Sequence, residues 1–131
     1  LVGSEMCIRD RVKMNGFDTY IDVIQCYSAE CLRGSITTLV FFNPPYLPTE
    51  EFDPLGISWS GGAEGIEVWE KFFINAIHIC LKGLCVVVFI LSSLQNVLKL
   101  LEVSLNTCRD AEIYTCSDFF YESICSVVLR C

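Results

Sequence analysis

The sequence predicts an α/β fold built on a largely parallel sheet, and three observations carry that prediction. Short β-branched runs alternate with segments of helical period, which implies crossover connections between neighbouring parallel strands. Two of the runs read as strands covered on both faces: residues 36–42 are continuous and β-rich, and residues 84–91 are continuously apolar. Apolar residues make up 53% of the 131 positions, mean hydropathy is +0.49 and only 19% are charged, a balance far from that of a disordered chain. The length corresponds to about one domain. The longest apolar run, residues 84–91, has eight members, whereas a membrane span needs about 20, so a buried core element is expected and no membrane segment.

The elements follow in order. Residues 1–12, LVGSEMCIRDRV, show neither helical nor strand period; they resemble translated adaptor read-through at the end of an assembled transcript and are set aside as a non-native leader, with 13–131 forming the domain. Residues 20–26, YIDVIQC, have the β-branched density of a short strand. The strand 36–42, ITTLVFF, stops at Asn43, Pro44, Pro45 and Tyr46, because two successive prolines remove two N–H donors and fix φ. Residues 47–65, rich in proline and glycine, read as loop. Residues 66–81 read as an amphipathic helix with Trp69, Phe72, Phe73, Ala76, Ile77 and Cys80 on one stripe, stopped by Lys82 and Gly83. After the strand 84–91, Leu94, Val97, Leu98, Leu101 and Leu105 mark a second helix. AEIYTC and SICSVVLRC, separated by a polar-aromatic SDFFYES, read as an antiparallel terminal pair.

Charge narrows the partners. Sixteen Asp and Glu against nine Lys and Arg give a net charge of −7, a field that repels phosphate backbones and makes nucleic-acid binding unfavourable. The nine cysteines are odd in number, contain no CxxC pair and lie partly inside apolar runs. They read as small buried hydrophobes in a reducing, cytoplasmic compartment. No metal site is expected, since zinc wants close Cys and His pairs and His78 has only Cys80 beside it.

Chemistry is expected where ligands bind such sheets, at the carboxyl ends of the strands, and Asn43, Pro44, Pro45 and Tyr46 stand at one such end. As a bare tetrapeptide it could equally be a stiff turn. The longer runs LVFFNPPYLPT and SWSGGAEGIEVWEKFF resemble the HemK-like class I methyltransferases, and most closely the eukaryotic release factor glutamine methyltransferases, over residues 15–131. The resemblance implies a fold, a cofactor and partners. The fold would be a truncated Rossmann-like sheet holding strands 3–7 of the order 3-2-1-4-5-7-6, the last strand antiparallel. The cofactor would be S-adenosyl-L-methionine, contacted by Asn43 and weakly by Cys26. The substrate would be the GGQ glutamine of a class-1 translation release factor, and the partner a small zinc-binding activator subunit in a heterodimer.

By the same resemblance, the side-chain oxygen of Asn43 and the carbonyl of Pro44 accept the two N–H bonds of the substrate amide, Pro45 stiffens the turn, and Tyr46 packs on the planar group. An amide nitrogen is a poor nucleophile, so alignment with the transferable methyl is the main requirement, and positioning can lower a barrier by up to about 7–11 kcal/mol.

Departures from the family are part of the reading. No G-x-G-x-G precedes Asn43, so the chain is expected to begin after the cofactor loop. Cys26 and Thr38 stand where family members carry Asp. With the first two strands of the order upstream, the strand 36–42 becomes an exposed edge and the strand 20–26 lacks neighbours, leaving a compact four-strand remainder. Gly61, Gly62, Ala63, Glu64 and Gly65 lack the GK[ST] of a phosphate loop and read as a flexible connection. Glu50, Glu51 and Asp53 read as a solvated acidic loop. Two alternatives stand beside the leading one: an adenine-N6 nucleic-acid methyltransferase, since the motif serves both planar substrates, and a noncatalytic remnant or partner-binding scaffold.

Overall fold

The computed structural model of the protein describes residues 4–50, 53 and 55–131. It has α/β architecture with a mixed four-stranded sheet, a small two-stranded sheet and three α-helices. The strands of the larger sheet are β1 (Leu39–Phe42), β4 (Val86–Ser92), β5 (Asp110–Asp118) and β6 (Ser123–Arg130), in the spatial order β1-β4-β6-β5. β1 runs parallel to β4, with Leu39 opposite Val86 and Phe42 opposite Phe89. β6 is antiparallel to both of its neighbours. The helices are α1 (Ser4–Met14), α2 (Glu67–Ile79) and α3 (Val97–Thr107).

One face of the sheet carries the core. Val40 and Phe42 of β1, Val87, Phe89 and Leu91 of β4, and Cys125, Val127 and Leu129 of β6 alternate inward, as a period of two requires. They meet Trp69, Phe73, Ala76 and Cys80 from α2 and Leu100 from α3 in a single cluster. Trp69 stacks on Phe73 at 4.8 Å and tilts against Phe89 at 5.3 Å, so three rings join helix to sheet. The residues that alternate with them, among them Phe41, Val88, Ile90 and Val128, are only half-buried or exposed. A tertiary layer on one face and an incomplete one on the other explains why runs that look doubly buried in sequence are buried once.

Several sequence expectations are corrected. The expected strand at residues 20–26 does not form: Tyr20 N and Ile21 N donate to Phe17 O in a turn, and Tyr20, Ile21 and Ile24 are exposed. No strand offers it a ladder, and an unpaired strand leaves its backbone groups without partners. The larger sheet therefore has the four strands of the expected remainder, with no strand from residues 20–26 beside them, and β1, with Phe41 at 68% exposure, is its free edge. β1 is also shorter than 36–42; only an isolated bridge from Thr37 to Cys80 continues it backward. Residues 47–65 are not all loop, since β2 (Leu47–Pro48) pairs parallel with β3 (Ser60–Gly62). Ser4–Met14 is helical despite lacking an apolar stripe, and residues 6–14 are exposed apart from half-buried Val12.

α2 ends at Ile79, two residues before the expected end at Leu81, because Leu81 N donates to Thr37 O and draws the chain into the sheet. α3 buries Leu100 and Ser104, with Val97 and Val103 packed beside them, and leaves Leu98 and Leu105 outside. Its stripe is thus rotated from the expected one. Apolar residues surround this helix, and the Ser104 hydroxyl is tolerated inside because it donates to Leu100 O at 2.8 Å.

The cysteines depart furthest from expectation. Eight of them pair as Cys26–Cys31, Cys80–Cys85, Cys108–Cys131 and Cys116–Cys125, leaving Cys7 free and exposed. Strand register brings distant partners together: Cys116 lies directly opposite Cys125 in the β5–β6 ladder. No local spacing in sequence reveals that. Among the described residues, no helix is long and apolar enough to cross a membrane.

Candidate functional site

β1 delivers Asn43 at its carboxyl end, and β2 takes the chain up again at Leu47, so residues 43–46 are suspended between two short strands. Asn43 is exposed, Pro44 is buried, and Pro45 and Tyr46 are half-buried. The Asn43 carboxamide has no hydrogen-bond partner among the described residues, which leaves it free to accept and donate. It lies at the mouth of an apolar groove lined by Phe41, Phe42, Val88, Phe89 and Ile90. The four motif residues therefore sit together at the strand end, where ligand chemistry is expected in this architecture.

The turn is braced from beneath. Leu47 N donates to Trp59 O at 3.0 Å, closing the β2–β3 pair. Gly65 has φ +74°, and a Cβ there would stand 2.5 Å from Tyr46 O and 3.4 Å from Pro48 N. Only glycine allows that close approach. Gln95, 5% exposed, holds Gly65 in place: its Nε2 donates to Gly65 O at 2.6 Å while its Oε1 accepts from Ser92 N at 2.9 Å. One buried amide thus joins the end of β4 to the loop that supports Tyr46.

The glycine-rich segment is correspondingly ordered, which corrects the flexible-connection reading. Both carboxylate oxygens of Glu67 accept backbone N–H bonds, from Glu64 and Ile66, at 3.1 Å each. Glu64 in turn pairs with Lys99 at 2.5 Å and accepts from Asn96 Nδ2; these bonds lower the Glu64 carboxyl and raise the Lys99 ammonium from their ordinary values. Asn96 also caps α3, accepting from Lys99 N at 3.2 Å, so this loop and the start of the helix form one unit.

A carboxylate unforeseen from the sequence completes the surroundings. Glu122 Oε2 accepts from the Ser92 hydroxyl at 2.6 Å, and Ser92 is fully buried at the carboxyl end of β4. Glu122 Oε1 has no partner among the described residues. Partial burial, together with the negative charge of Glu122, pushes the Tyr46 phenol above its ordinary value. Ser92, Gln95 and Glu122 carry no motif, and contacts across about thirty residues of sequence bring Glu122 to Ser92 and Gln95 to Gly65. The rule that places sites at strand ends also points to the residues just after 84–91.

The other expected residues fare differently. Cys26 is bonded to Cys31, and no hydrogen bond or disulfide joins it to residues 43–46. Ser28 and Ala29 of the same turn line a groove with Val40, Phe41, Phe42, Phe72 and Ala76. Asp53 accepts from Leu55 N and Gly56 N at 2.8 and 2.9 Å, bonds that hold its carboxyl below the usual range and make it a turn former. Glu50 is exposed, and Glu51 lies outside the described residues. His78 is exposed on α2. Among the described residues, no three His, Cys, Asp or Glu side chains gather as metal ligands.

The carboxamide of Asn43 lines an apolar groove with Phe41, Phe42, Val88, Phe89 and Ile90, a lining that offers S-adenosyl-L-methionine one polar side chain and no charged one. Residues 15–42 offer no glycine-rich turn after a strand to hold the rest of that molecule. No protein-family model matches the chain. The curated proteins yield no significant match either.

Proposed function

We propose that the chain carries the substrate-binding part of an S-adenosylmethionine-dependent protein-glutamine N5-methyltransferase, acting on the GGQ glutamine of a class-1 translation release factor. The observation that carries this reading is the turn of Asn43, Pro44, Pro45 and Tyr46 at the carboxyl end of β1, with the Asn43 carboxamide free and the turn braced through Gly65 and Gln95. The strand order β1-β4-β6-β5, with only the last strand antiparallel to the others, supports it as well. It is the order expected for strands 4-5-7-6 of a Rossmann-like methyltransferase sheet.

S-adenosylmethionine supplies an electrophilic sulfonium methyl when bound. The protein's residues supply position. The Asn43 side-chain oxygen and the Pro44 carbonyl accept the two N–H bonds of the substrate amide, and Pro45 keeps that carbonyl fixed without offering a competing donor. Tyr46 lies along the planar group, neutral at physiological pH as an ordinary phenol is, with burial and the charge of Glu122 pushing its titration further up. The nitrogen that receives the methyl sheds one proton along a hydrogen bond it already makes, and that proton passes to solvent water, leaving a neutral N-methyl amide. Orientation of this kind is worth more to a weak nucleophile than acid or base assistance. As the resemblance implies, the enzyme would work in a heterodimer with a small zinc-binding activator subunit.

The substrate would be met in the cytoplasm, where the glutathione pool favours dithiols over accessible disulfides. Incubating the full-length protein and its activator with labelled cofactor and either release factor or DNA tests the reading. Label on the release factor glutamine is expected; label on adenine would transfer the site to nucleic acid, and label on neither would leave a noncatalytic scaffold.

A further inference from the structure

The turn that joins β5 to β6 presents three consecutive aromatic side chains to solvent: Phe119, Phe120 and Tyr121 are 60%, 91% and 84% exposed. Apolar rings this exposed do not contribute to the core, and a cluster of them marks an interaction surface. The turn that carries them is nonetheless fixed. Phe119 N donates to Glu122 O at 2.7 Å, and Ser123 Oγ donates to Asp118 Oδ1 at 2.6 Å. Ser123 and Ser93 exchange two further bonds, Ser93 N to Ser123 O and Ser123 N to Ser93 Oγ, each 2.9 Å. Phe120 and Tyr121 stand edge to face at 4.7 Å. A rigid aromatic tip forfeits little conformational entropy on binding, and Tyr and Phe are favoured at interface centres.

The position of the tip relates it to the candidate site. Its last residue is Glu122, whose carboxylate is bonded to Ser92 at the end of β4, and Ser92 is tied through Gln95 to Gly65 beneath Tyr46. A polypeptide presenting a side chain to residues 43–46 would therefore pass beside the tip. Charge selects the kind of polypeptide: Asp118 and Glu122 flank the rings, and the chain as a whole carries −7. Arginine and lysine side chains satisfy both features, stacking on the ring faces and pairing with the flanking carboxylates. The same acids oppose a second copy of this chain and an anionic lipid surface.

Resting on the methyltransferase reading, we propose that the Phe119, Phe120 and Tyr121 tip is the docking surface for a basic segment of the folded protein that presents the target glutamine. It would hold that protein through contacts distinct from those that hold the reacting side chain.

The test compares two probes on the full-length protein with its activator: a folded release-factor domain presenting the GGQ loop, and a short GGQ peptide. Replacing both rings, Phe120→Ala with Tyr121→Ala, should weaken domain binding by roughly tenfold or more. Methylation of the short peptide should be unchanged, and the melting curve should stay in place because both residues are exposed. The exchange Phe120→Tyr with Tyr121→Phe, which keeps both rings, should retain the affinity. Unchanged domain affinity in the double alanine variant overturns the docking surface and leaves the methyltransferase reading standing. Absence of binding and methylation with both probes in the unaltered protein overturns both. Ring-dependent sedimentation with anionic vesicles, or ring-dependent self-association, also overturns the proposal by giving the tip another occupant.

Discussion

Ser92 Oγ donates to Glu122 Oε2 at 2.6 Å across thirty residues of sequence, tying the carboxyl end of β4 to the turn between β5 and β6. Ser92 N is simultaneously held by Gln95 Oε1, and Gln95 Nε2 holds Gly65 beneath Tyr46. Three separate stretches of chain thereby converge on the turn that follows β1.

The charge of Glu122 has a measurable consequence at Tyr46. Burial and that charge together favour the neutral phenol, so its titration lies above the ordinary tyrosine value. A raised pKa means that this contribution to stability is fully present below the unfolded tyrosine pKa and is lost as pH rises through the folded one. Ultraviolet titration of the protein against its Tyr46→Phe variant should resolve a late-titrating tyrosine. Glu122→Gln should move that titration down toward the ordinary value; no movement would show that the two side chains are not coupled.

Gly65→Ala should be destabilising by about 1–3 kcal/mol, since φ +74° strains any side chain and the new Cβ meets Tyr46 O. Gln95→Ala should cost about 1–3 kcal/mol by leaving buried backbone groups at Ser92 and Gly65 without partners. Urea unfolding of each variant measures both. Values near zero would mean that the brace under the turn is dispensable.

Reduction should loosen the terminal hairpin more than the rest. Cys108–Cys131 joins the two ends of the β5–β6 segment over 23 residues, and Cys116–Cys125 joins its strands near the tip. A bridge of that span contributes about 2–4 kcal/mol by restricting the unfolded chain. Denaturation with and without reductant should show a loss of that order. Hydrogen exchange should rise first in β5, an edge strand exposed along most of its length.

The sheet, the two central helices and the placement of the motif at a strand end were legible because each rests on local pattern. Trp69, Phe73 and Ala76 recur at helical spacing, and the continuous apolar run 84–91 marks β4 as a core strand, although its alternating burial emerges only in the fold. What could not be read depends on partners far away. Residues 20–26 have strand composition, yet no neighbour pairs with them. The cysteines of β5 and β6 look unrelated until register sets Cys116 against Cys125. α3 has leucines on every side, so its buried stripe was settled by packing at Leu100 and Ser104. Glu122 carries no motif, and only the Ser92 contact brings it to the site.

In the proposed mechanism Asn43 holds the substrate amide in line for methyl transfer. This role is tested most directly by single-turnover methylation of the release factor GGQ glutamine by the full-length protein with its activator, unaltered and as Asn43→Ala. Loss of an acceptor that acts at the moment of transfer should lower the rate by about a hundredfold or more, with release factor affinity changed far less. Equal rates in the two proteins would contradict the claim and return the turn of Asn43, Pro44, Pro45 and Tyr46 to a structural role.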